Sequence, residues 1–198
     1  MLTAGAEAGG VNIAGNAGLR AEQGSGMLER VVSGGQTGVD RVALDVAAEL
    51  EIAIGGWCPR GRRAEDGRIP DRYPLREADS ANYAVRTELN VRDSDATLLL
   101  IWGRISGGTR LTRDCAERYG RPVWQVDLRH VVQPSVELFA GDQELFVDVA
   151  EFCQWLRGNS IRQLNVAGPR GSAAVELEPC ARRVLRNLFK AALSESRE

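Results

Sequence analysis

Short apolar runs and amphipathic helical segments alternate along this chain, and this alternation limits the possible folds more than any other feature. After a first apolar run at residues 30–33, apolar residues recur at helical spacing from Val42 to Leu50, and a second short run follows. The predicted strands cover residues 30–33, 52–55, 96–101, 122–126 and 162–167, and the predicted helices cover residues 38–51, 79–92, 108–119, 143–157 and 176–193. This order predicts a three-layer, doubly wound α/β domain whose parallel sheet of about five strands has helices on both faces.

The expected strand order, with strands numbered along the chain, is 2-1-3-4-5. This order places the loops after the first and third strands on either side of the point where the strand order reverses. The order 3-2-1-4-5 is the alternative.

The chain has 198 residues, 43% of them hydrophobic, which is enough for one core, so we expect a single domain over residues 27–198. Residues 1–26 are rich in Gly and Ala and contain few large apolar side chains, so we expect them to be disordered. Met27 is a candidate for the true first residue.

A glycine-rich turn joins the first predicted strand to the first predicted helix. Glycine lets a backbone approach an anion closely, and the amide groups of a first helical turn point towards such an anion. The turn lacks both the G-x-G-x-x-G dinucleotide pattern and the Gly-Lys-Ser/Thr ending of a Walker loop, since the one lysine is Lys190. Candidate phosphate-binding residues here are Gly34, Gly35, Gln36, Thr37, Gly38 and Asp40, although Asp40 equally suits a first helical turn.

Two further turns of this kind follow apolar runs. Ser106 to Thr109 follows the third predicted strand, and Gly168 to Ser172 follows the fifth. Loops at the carboxyl ends of parallel strands share one edge of the sheet, so the three turns are predicted to line one pocket. The additional candidates are Gly107, Gly108, Thr109, Gly168, Pro169 and Arg170.

An arginine-rich stretch from Trp57 to Pro74 is predicted to form a long irregular loop. Guanidinium groups bind phosphate in bidentate fashion, which makes Arg60 and Arg63 candidates in a flap over an anionic ligand. A solvated loop with self-neutralising charges explains the stretch equally well. Trp57 or Trp102 is a candidate for stacking on a ring, although either suits a core position.

The sequence shows no nucleophile paired with a plausible general base, and His130 is predicted to be a structural residue. In an enzyme, carboxylates such as Asp40 or Glu88 would act as the general acid or base. Arg86 and Asn90 share a helix face, from which Glu88 points away.

The net charge of −2 argues against a nucleic-acid binder that relies on bulk electrostatics. Cysteines at 58, 115, 153 and 180 form no CxxC pair, so we expect no zinc site and a reducing, cytoplasmic location. Cys115 and Cys153 are predicted core residues, whereas Cys58 is placed in a loop. No signal peptide or membrane span is predicted.

Five segments together resemble the molybdenum cofactor carrier family, within a Rossmann-like superfamily, termed SLOG, that includes the cytokinin-activating phosphoribohydrolases. The segments are Ser33 to Arg41, Gly56 to Gly67, Arg86 to Asn90, Ser106 to Thr109 and Asn165 to Arg170. The resemblance implies a cytoplasmic homo-oligomer that binds a phosphorylated pterin or nucleotide. It allows molybdenum cofactor as cargo, with the metal held by the cofactor's own sulfur atoms.

The phosphoribohydrolases of this superfamily carry a glutamate after their Gly-Gly-x-Gly-Thr turn, where this chain has Thr112 or Arg113. This difference argues against hydrolysis but not against phosphate binding. We therefore favour a carrier that has no catalytic residue. The alternatives are a nucleoside-monophosphate N-glycosidase that uses Glu88 or Asp40, and a nucleotide-sensing module.

Overall fold

The computed structural model describes residues 28–131 and 147–194. Its strands are β1 (Arg30–Val32), β2 (Ala53–Gly55), β3 (Trp57–Cys58), β4 (Arg63–Ala64), β5 (Gly67–Arg68), β6 (Arg76–Glu77), β7 (Ala96–Ile101), β8 (Val123–Asp127) and β9 (Gln163–Ala167). Its helices are α1 (Val39–Glu49), α2 (Tyr83–Arg92), α3 (Gly107–Arg118), α4 (Leu128–Val131), α5 (Val149–Gly158) and α6 (Leu177–Ser194). The expectations for residues 1–26, for Met27 and for a helix start at residue 143 lie outside the described residues.

Five strands form one parallel sheet in the order β2-β1-β9-β7-β8. The predicted α/β class and the positions of the five strands are confirmed. All six residues of β7 are buried, as expected for a strand covered on both faces.

The predicted strand order 2-1-3-4-5 is wrong, and so is the alternative 3-2-1-4-5. The last strand, β9, lies between β1 and β7, so the order along the chain is 2-1-5-3-4. Every strand of a covered parallel sheet is apolar on both faces, so hydrophobicity does not reveal which strand lies in the middle. A buried hydrogen bond from Asn165 Nδ2 to Thr97 Oγ1 (3.1 Å) joins β9 to β7.

The helices cover both faces of the sheet. Helices α1, α5 and α6 pack together on one face over the main core, and α2 packs against α3 on the other. Cys153 belongs to the first of these cores and Cys115 to the second, which confirms both as core residues. None of the described helices is both long and apolar enough to cross a bilayer.

The stretch from Trp57 to Pro74, expected to be irregular, contains three short strands and is fastened by a buried arginine. Strands β4 and β5 form an antiparallel hairpin, and β3 pairs with β6. The guanidinium of Arg62 donates to carbonyl oxygens of Ile69, Pro70, Tyr73 and Leu75 at 2.9–3.2 Å. Cys58 is fully buried in the small core of this segment rather than in an open loop, and burial raises the pKa of its thiol.

Candidate ligand-binding site

Three loops at the carboxyl edge of the sheet line one cavity of about 320 Å³. We name them the β1 loop (residues 33–38), the β7 loop (residues 102–106) and the β9 loop (residues 168–172), after the strands that they follow. The first turn of α3 and the side chains of Tyr83, Arg86 and Thr87 from α2 complete the wall. The structure thus brings together parts of all three predicted turns.

The cavity lies where the connections of the sheet change face. Strand β9 continues into α6, which packs beside α1, whereas the neighbouring strand β7 continues into α3 on the opposite face. The two loops therefore diverge and leave a crevice at the carboxyl ends of β9 and β7. Ligands of open α/β sheets bind at such a switch point.

The backbone amides at the end of the β1 loop and the start of α1 already donate hydrogen bonds to acceptors within the protein. The amide groups of residues 36–39 donate to Asp40 Oδ2, Gln36 Oε1, Glu178 Oε1 and the carbonyl oxygen of Pro169, at 3.0–3.3 Å. Gln36 and Asp40 line the cavity, but Gly34, Gly35, Thr37 and Gly38 do not. The phosphate cradle expected at this loop stays a prediction, and the amides of residues 36–39 are already bonded within the protein.

The glycines of the β1 loop allow close packing against neighbouring elements. A Cβ at Gly34 would overlap the guanidinium of Arg86. Gly38 has φ of 77°, and a Cβ there would lie 2.6 Å from the carbonyl oxygen of Pro169 in the β9 loop. A side chain at either position would displace a cavity-lining residue.

A buried ion pair joins the first turn of α1 to α2. Nη1 of Arg86 lies 3.2 Å from Oδ2 of Asp40, and both side chains are largely buried. Burial raises the pKa of Asp40, and the charge of Arg86 opposes that rise. Nε of Arg86 is buried without a hydrogen-bond partner among the described residues. Asp40 is the one carboxylate among the described residues that line the cavity.

The first turn of α3 presents unoccupied amides to the cavity. Within the described chain, the amide groups of Gly107, Gly108 and Thr109 have no hydrogen-bond acceptor, and Ser106 caps the helix without a side-chain hydrogen bond. All four residues line the cavity, together with Arg104 and Arg170. The positive end of the helix and two arginine residues therefore line the same space.

The predicted arginine flap lies elsewhere. Arg60 and Arg63 are exposed and do not line this cavity. The β4–β5 hairpin instead contacts the site through Glu65, whose Oε2 accepts from Ser172 Oγ (2.8 Å) and lies 3.7 Å from Nη1 of Arg170. Burial acts to raise the pKa of Glu65, but hydrogen bonds from Thr37 and Ser172 outweigh it and lower the pKa.

Of the remaining candidates, only Trp102 lines the cavity. Glu88 accepts a hydrogen bond from Oη of Tyr119 (2.7 Å), the residue that follows α3. The His130 side chain is 79% exposed. Trp102 lines the cavity, whereas Trp57 lines a separate one and donates to Asp93 Oδ2 (2.9 Å). Among the described residues, no group of three His, Cys, Asp or Glu side chains could hold a metal ion.

Sequence reasoning did not select Tyr83, Thr87 or Arg104 as site residues. Arg104 lies between the third predicted strand and its glycine turn, a position that could have identified it. Tyr83 and Thr87 lie on α2, and only the packing of that helix brings them to the cavity.

The fold and the cavity define the class: a Rossmann-like α/β domain with a ligand-binding crevice at the switch point of its sheet. The chain belongs to the circularly permutated YpsA SLOG family, whose model matches residues 31–189. This confirms the SLOG resemblance. Counted from β9 as the first strand, the sheet order becomes 3-2-1-4-5, the order that a circular permutation of the chain would restore.

One solved structure is similar over nearly the whole chain. It is the crystal structure, at 1.45 Å resolution, of a Syntrophus aciditrophicus protein named "putative molybdenum carrier protein". The two sequences are 35% identical, the alignment covers 85% of this chain and 96% of the other, and the TM-score is 0.69. No curated protein matches the chain.

Proposed function

We propose that this protein binds a phosphorylated small molecule, with the phosphate against the first turn of α3, and acts as its carrier. The observation that carries the proposal is the group of three unpartnered amides at residues 107–109, which line one cavity with Arg104 and Arg170. Backbone amides at a helix start and guanidinium groups are the donors that phosphate oxygens accept from. They contribute most where the surrounding cavity excludes water.

The rest of the cavity suits a ring compound. Trp102, Tyr83 and Ile105 supply aromatic and apolar surface beside the phosphate donors. A pterin phosphate such as molybdenum cofactor, or a related nucleotide, combines these two parts. The name of the Syntrophus aciditrophicus protein supports the cofactor as cargo, and the resemblance leaves the metal on the ligand's own sulfur atoms. The homo-oligomeric assembly and the cytoplasmic location implied by the resemblance stay predictions.

The site fits a carrier protein better than a hydrolase. At the position of the hydrolases' glutamate, Thr112 donates from Oγ1 to the carbonyl oxygen of Gly108 (3.0 Å), and Arg113 lies beside Asp114. Asp40 is the available carboxylate, and its Oδ2 is already held by Arg86 and the Gln36 amide.

A glycine substitution tests the phosphate position. A Cβ at Gly108 would meet no atom within 4 Å, so Gly108→Ala should fold normally while its methyl group occupies space beside the free amides. We expect nucleoside monophosphates or pterin phosphates at a hundredfold excess over Kd to stabilise the wild type by about 2.7 kcal/mol in thermal unfolding. The variant should lose about tenfold or more in affinity.

Gly158→Ala is the matched control, because Gly158 also has open space around it and lies at the end of α5. It should leave binding unchanged. If no phosphorylated ligand stabilises the wild type, or if both variants bind equally well, the proposed phosphate site is wrong.

The N-glycosidase alternative has one supporting observation, the raised pKa of Asp40 inside the cavity. Incubation with nucleoside monophosphates, followed by chromatography for free base, separates the two functions. We expect no release. Release that disappears in Asp40→Asn would establish catalysis instead.

A further inference from the structure

The buried side chain of Gln36 ends in a carboxamide whose oxygen is held by hydrogen bonds and whose nitrogen has no partner among the described residues. It is 9% exposed, and its Oε1 accepts hydrogen bonds from the amides of Thr37 (3.0 Å) and Glu65 (2.9 Å). Two amide donors require an oxygen at this position, so the orientation of the carboxamide is defined by its partners. Nε2 must point the other way, and it has no hydrogen-bond partner in the part of the chain that the structure describes.

The β4–β5 hairpin holds this orientation. Asp66 at its tip forms two hydrogen bonds with the guanidinium of Arg41 on α1 (2.5 and 2.8 Å). Glu65 also bonds Ser172 of the β9 loop. The Glu65 amide is therefore anchored from two sides. Gln36 lines the cavity, so its unpartnered Nε2 is the side-chain donor that it can offer there.

Gln36 and the phosphate donors lie on different sides of the cavity. Strands β1 and β7 flank β9, so the β1 loop and the start of α3 are separated by two strand spacings, about 10 Å. A phosphate at α3 thus leaves the ring of the ligand to reach the β1 loop. At that wall Asp40 Oδ2 already accepts from Arg86 and from the Gln36 amide, so the free group of Gln36 there is a donor.

We propose that Gln36 is a specificity-determining residue that selects ligands whose ring presents an oxo group, or another acceptor, over those that present an amino group. The inference rests on the proposed phosphate site, because that site sets the direction of the ligand. An amino group facing Nε2 would leave two donors opposed and unpaired. Oxo-purine nucleotides and oxo-pterin phosphates belong to the selected class.

Inosine monophosphate and adenosine monophosphate are suitable probes, because they differ at the ring edge and share the phosphate and ribose. We expect calorimetric titration of the wild type to give about tenfold tighter binding of inosine monophosphate. Gln36→Glu keeps the size and the accepting oxygen but replaces the donor with an acceptor, so the preference should reverse. Gln36→Met removes the donor without adding charge, and the two affinities should become equal.

Gln125→Glu makes the same charge change at an exposed position of β8 and should keep the wild-type ratio. Circular dichroism and thermal unfolding check that each variant is folded. Equal affinities in the wild type, or a ratio unchanged in both Gln36 variants, would overturn the inference. A separate result would contradict the proposed phosphate site, namely that Gly108→Ala binds both nucleotides as tightly as the wild type does. If the wild type binds neither probe, the proposed selectivity is wrong for nucleotides, and a pterin phosphate then tests the phosphate site alone.

Discussion

Arg60 and Arg62 are two residues apart and have opposite environments. Arg60 is exposed, whereas the buried guanidinium of Arg62 donates to four carbonyl oxygens and holds the segment between β3 and β6 together. Both lie in the arginine-rich stretch that the sequence offers as a flap over an anionic ligand, since composition does not separate an arginine that binds a ligand from one that binds the backbone. Only the path of the chain around Arg62 distinguishes them.

Arg62→Met should destabilise the protein by about 2–4 kcal/mol, because several buried carbonyl groups would lose their donor together. Arg60→Ala is the matched substitution at an exposed position and should change stability by less than about 0.5 kcal/mol. Urea unfolding measures both. A similar loss in the two variants would contradict the structural role of Arg62.

At the scale of elements, the last residue of β8 supports the β7 loop. Asp127 Oδ1 accepts from the amide of Gly103 (3.2 Å), and its carboxylate also binds Arg129. Hydrogen bonds from the Arg129 guanidinium, followed by those from the Arg129 and Gly103 amides, lower the pKa of Asp127 to about 2. This carboxylate therefore fastens the loop that carries Arg104 into the cavity.

A folded-state pKa below the ordinary value of 3.8 stabilises the folded state above that value, and this contribution is lost as pH falls towards 2. The free energy of unfolding of the wild type should therefore fall more steeply between pH 4 and 2.5 than that of Asp127→Asn. Arg129→Ala should give an intermediate slope, because it removes the largest cause of the shift. Parallel curves for the wild type and Asp127→Asn would contradict the prediction.

The sequence predicted most elements within a few residues, since apolar runs and helical periodicity are local. It also predicted that three glycine turns share one edge of the sheet. It did not predict which turn keeps free amides, because Glu178 occupies the amide of Gly38 from a position 140 residues away in the chain. Nor did it predict that β9 lies in the middle, because pairing is decided between strands that are all apolar.

At the scale of the whole molecule, the sheet has the strand order 3-2-1-4-5 of a common doubly wound fold when β9 is counted as the first strand. Strand β1 is then the second strand of that order. Contacts along the sheet are the same wherever the chain starts, so the position of the termini and the architecture are separable. The stretch between α5 and β9 is short, and Asn159 and Ser160 within it are exposed, which makes it a place for new termini.

A permutant that runs from Ser160 to Glu198 and continues from Met1 to Asn159 should fold and bind the same ligands with unchanged Kd. Residues 195–198 and 1–29 then connect α6 to β1. Circular dichroism and ligand titration would check it. A permutant that folds without binding would mean that the crevice between β9 and β7 depends on more than strand order.

Trp102 is the one of the four tryptophans that lines the candidate ligand-binding cavity, while Trp124 of β8 contacts Phe152 and Trp155 of α5. The protein therefore carries a spectroscopic reporter at its binding crevice and a second one in its core. Emission from Trp102 should change as a ring enters the cavity, whereas emission from the aromatic cluster should change only on unfolding. With Trp57→Phe, which removes the tryptophan of the separate cavity, a fluorescence titration can thus follow occupancy of the site and loss of the fold with no label added.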